Sequence, residues 1–369
     1  MGSDSMSNFS YSRLSTYNSC PRKHSYMYEE KIYTEGNEFL ILGDLFHQCI
    51  DKATNGEDFS SVINDYEAKV KVGAVSTESG LLEYVVNKYL DHYDVTSEEV
   101  IGSELVLEEE WEDGDTFKGI VDRLVEKDGM VILRDTKTTL KPLKYTTNQV
   151  KYNSQLLTYC SLVQDHMNLI IDAYEIDEVR LARLQEVPIN QNGKPSADKN
   201  RLSLVLYEDY YNKLAEMGLE NAPEYQGVLD YLEKRGHPLF KRTQCQLLDQ
   251  NILSANIQDL YQTYKSAKTG NKQRVRGPLC DYCAYQDLCN LDFYLPDPDS
   301  RQIVIDKIKK SSWHPVYYSV QLKCKEWYNE QHKISRMWCN QSKKDSWKQS
   351  RLCNETSFRF RCWTDRTWL

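Results

Sequence analysis

Three runs with strand-like apolar patterning follow one another in the chain, at Glu104–Glu110, Thr116–Glu126 and Met130–Lys137. Asp113-Gly114 and Asp128-Gly129 separate them, and Asp-Gly is favoured in tight hairpin turns because their central residues need positive φ. Connections this short join only antiparallel neighbours, so the pattern predicts a three-stranded antiparallel meander. The flanks have a different period. Leu42, Leu45, Phe46, Cys49 and Ile50 recur at helical spacing, and residues 10–53 read as two helices joined by a Cys20-Pro21 turn. Helical spacing continues at Val62, Tyr66 and Val70, breaks near Gly80, ends by Val95 and returns over 148–166; residues 169–181 read as a further strand. This order predicts an α/β core, a mixed central sheet flanked by helices. Residues 185–203 are polar, with Pro188, Gly193 and Pro195, and read as a loop or lid before helices resume over 207–233 and 252–268.

With 369 residues, 40% hydrophobic and 27% charged, the chain is long enough for one large domain and an accessory segment. No apolar run approaches the roughly 20 residues of a membrane span, and no signal-peptide pattern opens the sequence, so a soluble cytoplasmic protein is expected. Eleven cysteines without a secretion signal then point to metal or cluster ligation rather than disulfides. A net charge of −9 argues against nucleic acid as a partner without excluding it, because acidic residues can cluster away from a basic groove. Residues 1–6 read as a vector-derived leader or an alternative start. Residues 311–369 stand apart: they hold 11 Lys and Arg against 5 Asp and Glu, and six of the seven tryptophans, with no regular period. Residues 295–369 are therefore expected to form a basic tail outside the domain. Lys265, Lys268, Lys272, Arg274 and Arg276 read either as a solvated helix end or as a phosphate-contacting patch.

The meander also carries chemistry. Phosphodiester hydrolysis calls for a divalent cation on hard oxygen ligands, and carboxylates on adjacent strands provide them. Gly119-Ile-Val-Asp122 lies on the second strand and Asp135-Thr-Lys137 on the third. Positions two apart share a face of a strand, so Asp135 and Lys137 project together. A lysine there can stabilise charge growing on the phosphoryl oxygens, although a surface ion pair has the same spacing. His47 on an early helix is a candidate to complete a metal shell. Gln155 and Tyr159, four apart on the helix after the meander, share a face from which to orient Lys137 or hold the substrate backbone. Glu104 is a weaker candidate, reading first as a charge that protects an edge strand. Cys280-x2-Cys283-x5-Cys289 brings three thiols together, with Cys20 the natural fourth; spacing alone leaves structural zinc and an iron–sulfur cluster both open. Cys49, Cys160 and Cys245 read as small buried hydrophobes.

In that order, Cys20-Pro-Arg, Gly-x3-His47, Gly-Ile-Val-Asp122, Asp135-Thr-Lys137-Thr and Gln155-x3-Tyr159 resemble the RecB-like branch of the PD-(D/E)XK nucleases over about residues 10–290. The resemblance implies a restriction-endonuclease-like core with helical additions over residues 7–294, carrying an insertion at 185–250. It implies His47, Asp122, Asp135 and the carbonyl of Thr136 as ligands of Mg2+ or Mn2+, and Lys137 as the catalytic lysine. Gln155 and Tyr159 match the downstream helix motif. Thr136 stands where an aromatic residue is frequent. Similar nucleases, among them the AddB nuclease domain and the CRISPR adaptation nucleases, place one cysteine before the nuclease motifs and three after. The resemblance thus favours a [4Fe-4S] cluster over zinc on Cys20, Cys280, Cys283 and Cys289, acting as a clamp. The implied function is a DNA exonuclease acting on single strands or ends in phage or bacterial recombination, repair or replication, in the host cytoplasm if phage-encoded. A helicase or recombination protein is the implied partner. The alternatives are a CRISPR-adaptation-type nuclease and a non-cutting DNA-binding subunit of a helicase–nuclease assembly.

Overall fold

Asp128 and Gly129 both adopt positive φ, 52° and 75°, and close a tight hairpin in which Lys127 faces Met130. That turn joins β3 (Thr116–Lys127) to β4 (Met130–Thr139); β2 (Glu99–Glu110) pairs antiparallel on the other side of β3. The computed structural model describes residues 8–33, 38–73, 77–247, 249–294 and 297–310. Within them the sheet has six strands. β1 (Asn8–Phe9) adds a short parallel edge to β3, while β5 (Ala173–Arg180) runs parallel to β4 and β6 (Phe240–Gln246) antiparallel to β5. The result is the mixed sheet of an α/β core.

Helices cover both faces. On one side α1 (Tyr11–Ser19), α7 (Ser154–Met167) and α10 (Gln250–Lys268) bury Leu14, Leu156, Leu162 and Leu260 against Val121, Leu133 and Ile176. On the other, α3 (Glu38–Thr54), α4 (Ser60–Lys71) and α5 (Leu81–His92) bury Leu42, Phe46, Tyr66 and Val85 with Val179 and Phe240. Each fully buried Leu or Phe contributes roughly 1.5–3 kcal/mol, so these two layers hold the sheet rigid. Between α1 and α3, Pro21 starts the short α2 (Pro21–His24), which runs on as a π-helical turn to Glu29. No described helix is long and apolar enough to cross a membrane.

Several boundaries differ from the sequence reading. The helical stretch 148–166 is two helices, α6 (Thr147–Lys151) and α7, because a Thr146 capping box starts the first and Asn153 caps the second. The insertion at 185–250 holds a satellite core of α8 (Tyr207–Glu216) and α9 (Pro223–Arg235), but its last part is β6, a full member of the sheet. After α11 (Gln286–Leu291), the supposed tail begins with α12 (Pro298–Lys310), whose Ile305 and Ile308 are buried with Tyr26 and Leu288. The domain therefore runs to Lys310. Residues 1–6 and 311–369, with Cys324, Cys339, Cys353 and Cys362, lie outside the described residues.

Candidate active site

The ladder between β3 and β4 ends at Arg123 opposite Arg134. Beyond that pair, the Thr136 N–H donates to the Asp122 carboxylate (2.8 Å) instead of to a backbone carbonyl. This leaves a cleft of about 490 Å³ lined by His47, Asp122, Asp135, Thr136, Lys137, Gln155 and Tyr159. Two glycines let helices come close enough to furnish it. A Cβ on Gly43 would lie 2.6 Å from the Thr138 hydroxyl, so α3 can lie against β4 and deliver His47 one turn later. A Cβ on Gly119 would lie 2.7 Å from Leu162, which seats α7 on β3. Both motif glycines thus have a steric reason.

Lys137 Nζ lies 2.7 Å from Asp135 Oδ2, donates to Asp135 Oδ1 (3.0 Å) and donates to Gln155 Oε1 (3.1 Å). Gln155 Nε2 in turn donates to the Tyr159 hydroxyl (3.2 Å). The pair on α7 therefore orients Lys137. Burial pulls the lysine down, but Asp135 and Asp122 outweigh it and hold the ammonium above its usual range. His47 Nδ1 is 3.7 Å from Asp122 Oδ2, and burial lowers the imidazole so that it is neutral and able to ligate.

Glu104 is the residue that the sequence reading placed second to edge protection, and the structure brings it into the site. Its ligand atom and those of His47 and Asp122 all lie within 4.8 Å of one another. A register shift between Val100 and Gly102 precedes it, and Glu104 itself has φ 48°, a strained value for a residue with a Cβ. Strain of this kind needs an offsetting interaction. Burial raises Asp122 and Asp135, and Glu104 is pushed up to about 7 by desolvation and by Asp122, Asp51 and Asp44. Asp135 Oδ2, at a side chain only 2% exposed, is met by the Lys137 ammonium alone (2.7 Å). Three crowded acids, all raised, beside a neutral imidazole fit a hard divalent cation as donors.

Residues near the N-terminus also line the cleft, and no pattern in the sequence singled them out. Arg13 and Tyr28 line the cleft with Phe9; the guanidinium lies over both rings, at 4.2 Å and 5.3 Å, and its Nε donates to His24 Nε2 (3.3 Å).

A second cavity, of about 240 Å³, is lined by Cys20, Cys280, Cys283 and Cys289. All four are free thiols, and burial raises Cys283 and Cys289, each affected in addition by Cys20. Arg22, Lys23, Arg274 and Arg276 also line it, so thiolates there meet a cationic surround. A four-sulfur donor set suits a metal or cluster.

The model of the PD-(D/E)XK nuclease superfamily matches residues 8–290, which covers β1 to α11 and both cavities. The chain belongs to that superfamily. Its members are nucleases, phosphodiester hydrolases that use divalent metals, and the carboxylate–lysine cleft lies within the matched residues. A search of curated proteins finds no match.

Proposed function

We propose that this nuclease is a RecB-like DNA exonuclease, dependent on Mg2+ or Mn2+, that acts on single strands or ends during recombination, repair or replication in a phage or bacterial setting. What carries the reading is the convergence of His47, Glu104 and Asp122 within one ion's reach, beside Asp135 and a lysine fixed by Gln155. His47, Glu104, Asp122 and Asp135, with the Thr136 carbonyl, are the residues that would hold the cation. When bound, such an ion polarises a phosphoryl oxygen and supplies hydroxide at neutral pH. Lys137 stabilises negative charge as it develops on the phosphoryl oxygens, and Gln155 and Tyr159 keep its ammonium aimed there. Arg13, which also lines the cleft, offers a cation for a flanking phosphate.

The four cysteines are proposed to hold a [4Fe-4S] cluster, with zinc the other occupant. The cluster ties α1 and α2 to the turn Pro278–Tyr282 and α11, joining positions 20 and 289. A helicase or recombination protein is the proposed partner.

The test uses end-labelled linear and covalently closed circular DNA, single- and double-stranded, with either metal. Stepwise loss of linear DNA with circles intact is expected; cutting of circles overturns the exonuclease assignment, and binding without cutting reduces the chain to an assembly subunit. Anaerobically purified protein is expected to absorb broadly near ~400 nm from sulfur-to-iron charge transfer, and Cys283→Ala to bleach it. Colourless protein with stoichiometric zinc overturns the cluster.

A further inference from the structure

Five cations between Lys265 and Arg276 alternate with uncharged residues, and the structure divides them into two kinds. Lys265, Lys268 and Lys272 are paired with Glu112 (3.4 Å), Asp115 (2.7 Å) and Glu29 (2.8 Å). Arg274 and Arg276 form no ion pair among the described residues. Instead both guanidinium groups lie over one ring, Phe293, at 5.0 Å and 5.4 Å from its centroid. Arg274 Nη1 is buried without a hydrogen-bond acceptor among the described residues. Phe293 is nonetheless 56% exposed, as are Val275 (50%) and Tyr282 (67%) close by in the chain. An exposed aromatic ring beside two guanidinium groups that lack an ion pair among the described residues is a surface that a partner with anionic groups and flat rings can cover.

The position of this face says what the cover is. Arg22 N–H donates to the Gln273 carbonyl (3.2 Å) and Lys272 pairs with Glu29, so the segment 272–276 runs beside the helical turn 21–29. That same turn carries Tyr28, which lines the catalytic cleft. Four residue steps reach at most roughly 14 Å, so the segment leads from the rim of the cleft to Phe293. A strand threaded through the cleft carries phosphates for the arginines and, where it is unpaired, base faces for the ring. A duplex keeps its base faces stacked away and suits an exposed Phe less well.

We infer that the face formed by Arg274, Arg276 and Phe293 is a docking surface for single-stranded DNA, holding the part of the strand beyond the scissile phosphate. The inference rests on the nuclease reading and deepens it. Phosphate oxygens accept from the solvent-facing guanidinium donors, those of the exposed Arg276 first, and a base stacks on the open part of the Phe293 ring. Arg274 and Arg276 also line the cysteine cavity, so the competing account is that they serve only to neutralise thiolates there.

Two substitutions, Arg276→Ala and Phe293→Ala, separate the accounts. Anisotropy of a fluorescent thymidine 20-mer at several salt concentrations reads docking, hydrolysis of the p-nitrophenyl ester of thymidine 5′-phosphate reads the cleft alone, and absorbance with metal content reads the cysteine site. Expected are about tenfold weaker 20-mer binding in each variant and a slope against log salt smaller by about 0.7 for Arg276→Ala. Ester hydrolysis and the cysteine-site signal are expected to stay within twofold. Unchanged 20-mer binding in both variants overturns the surface, as does loss of binding together with the cysteine-site signal. If the wild type cuts neither substrate while 20-mer binding still responds to both variants, the nuclease reading fails and the docking surface stands.

Discussion

Arg134 and Asp135 are neighbours on β4, each at most 2% exposed, and consecutive strand residues project to opposite faces. They belong to two clusters of charge with opposite balances. On Arg134's side, Glu98, Glu175 and Asp177 meet Arg134, Arg242 and Lys127: Arg134 Nη1 reaches Glu98 at 2.6 Å, Arg242 Nη2 reaches Asp177 at 3.0 Å and Lys127 reaches Glu98 at 3.3 Å. Three acids face three bases. Burial alone would raise Glu98, but the guanidinium groups and Lys127 win and hold it down at about 2. On Asp135's side, Lys137 contacts Asp135 alone, Lys137 and Arg123 act on Asp122 and Arg123 on Glu104 only through space, and all three acids are raised. One cluster completes itself; the other is left with surplus negative charge that a cation from solution must balance. A balanced network serves structure and an unbalanced one serves binding.

The comparison is tested most severely by replacing each neighbour in turn. Asp135→Asn keeps the shape and removes a ligand, so single-turnover cleavage should fall by about three orders of magnitude or more while the denaturation midpoint stays put. Lys137→Ala should lose a similar factor through missing charge stabilisation. Near wild-type cutting by Asp135→Asn breaks the assignment of this cluster to catalysis. Arg134→Met should do the reverse, lowering unfolding free energy by about 3 kcal/mol because buried Glu98 and Glu175 lose their shortest ion pairs and keep only Arg242 and Lys127. Urea denaturation reads it, and a change below about 1 kcal/mol would mean that the network is ornamental.

Metal addition discriminates next. A ligand at a hundred times its Kd stabilises by about 2.7 kcal/mol, so Mg2+ or Mn2+ should raise the wild-type melting point and a chelator should reverse it. Asp122→Asn should abolish the response, and Arg242→Met, which touches only the balanced side, should keep it. Equal responses in both variants would place the ion elsewhere.

Much of this division was legible beforehand and some could not have been. Asp122, Asp135 and Lys137 stood out because a period of two and an Asp-Gly turn dictate which side chains meet. Gly43 and Gly119 were visible as motif letters, but their purpose, the close seating of α3 and α7, appears only with the helices in place. Glu104 was hidden because alternation along β2 is broken by a register shift and a left-handed residue, which no hydropathy pattern encodes. β6 escaped because Lys241, Arg242, Gln244 and Gln246 leave it little apolar character; its place in the sheet is secured by backbone pairing with β5 and by Arg242 in the balanced network. The helix over 298–310 was submerged in the composition of the tail that follows, although Ile305 and Ile308 are spaced for one buried face.

The smallest effect, and the one that sets the clusters most directly against each other, lies in their pH dependence. Glu98 is lower in the folded protein than its usual 4.5, so its stabilisation is complete above that value and is lost as pH falls toward about 2. His237 adds to this: its Nδ1 accepts the Leu239 and Phe240 N–H groups (both 3.2 Å), and desolvation with His92 nearby lowers it to about 4. The unfolded histidine takes a proton from 6.5 downward while the folded one does not, so stability drops as pH falls from 6.5 to 4. Glu104 has the opposite sign. Raised to about 7, it opposes folding above that pH and stops doing so as pH falls from 7 toward 4.5. Glu104→Gln should therefore stabilise the metal-free protein at pH 8 by up to about 1 kcal/mol, discounted for the exposure of the side chain, and the gain should vanish by pH 4.5. Glu98→Gln should instead destabilise throughout that range, its deficit narrowing only in stronger acid. Parallel pH profiles for the two glutamines would mean that both clusters are balanced, and the surplus charge that calls for a cation would not exist.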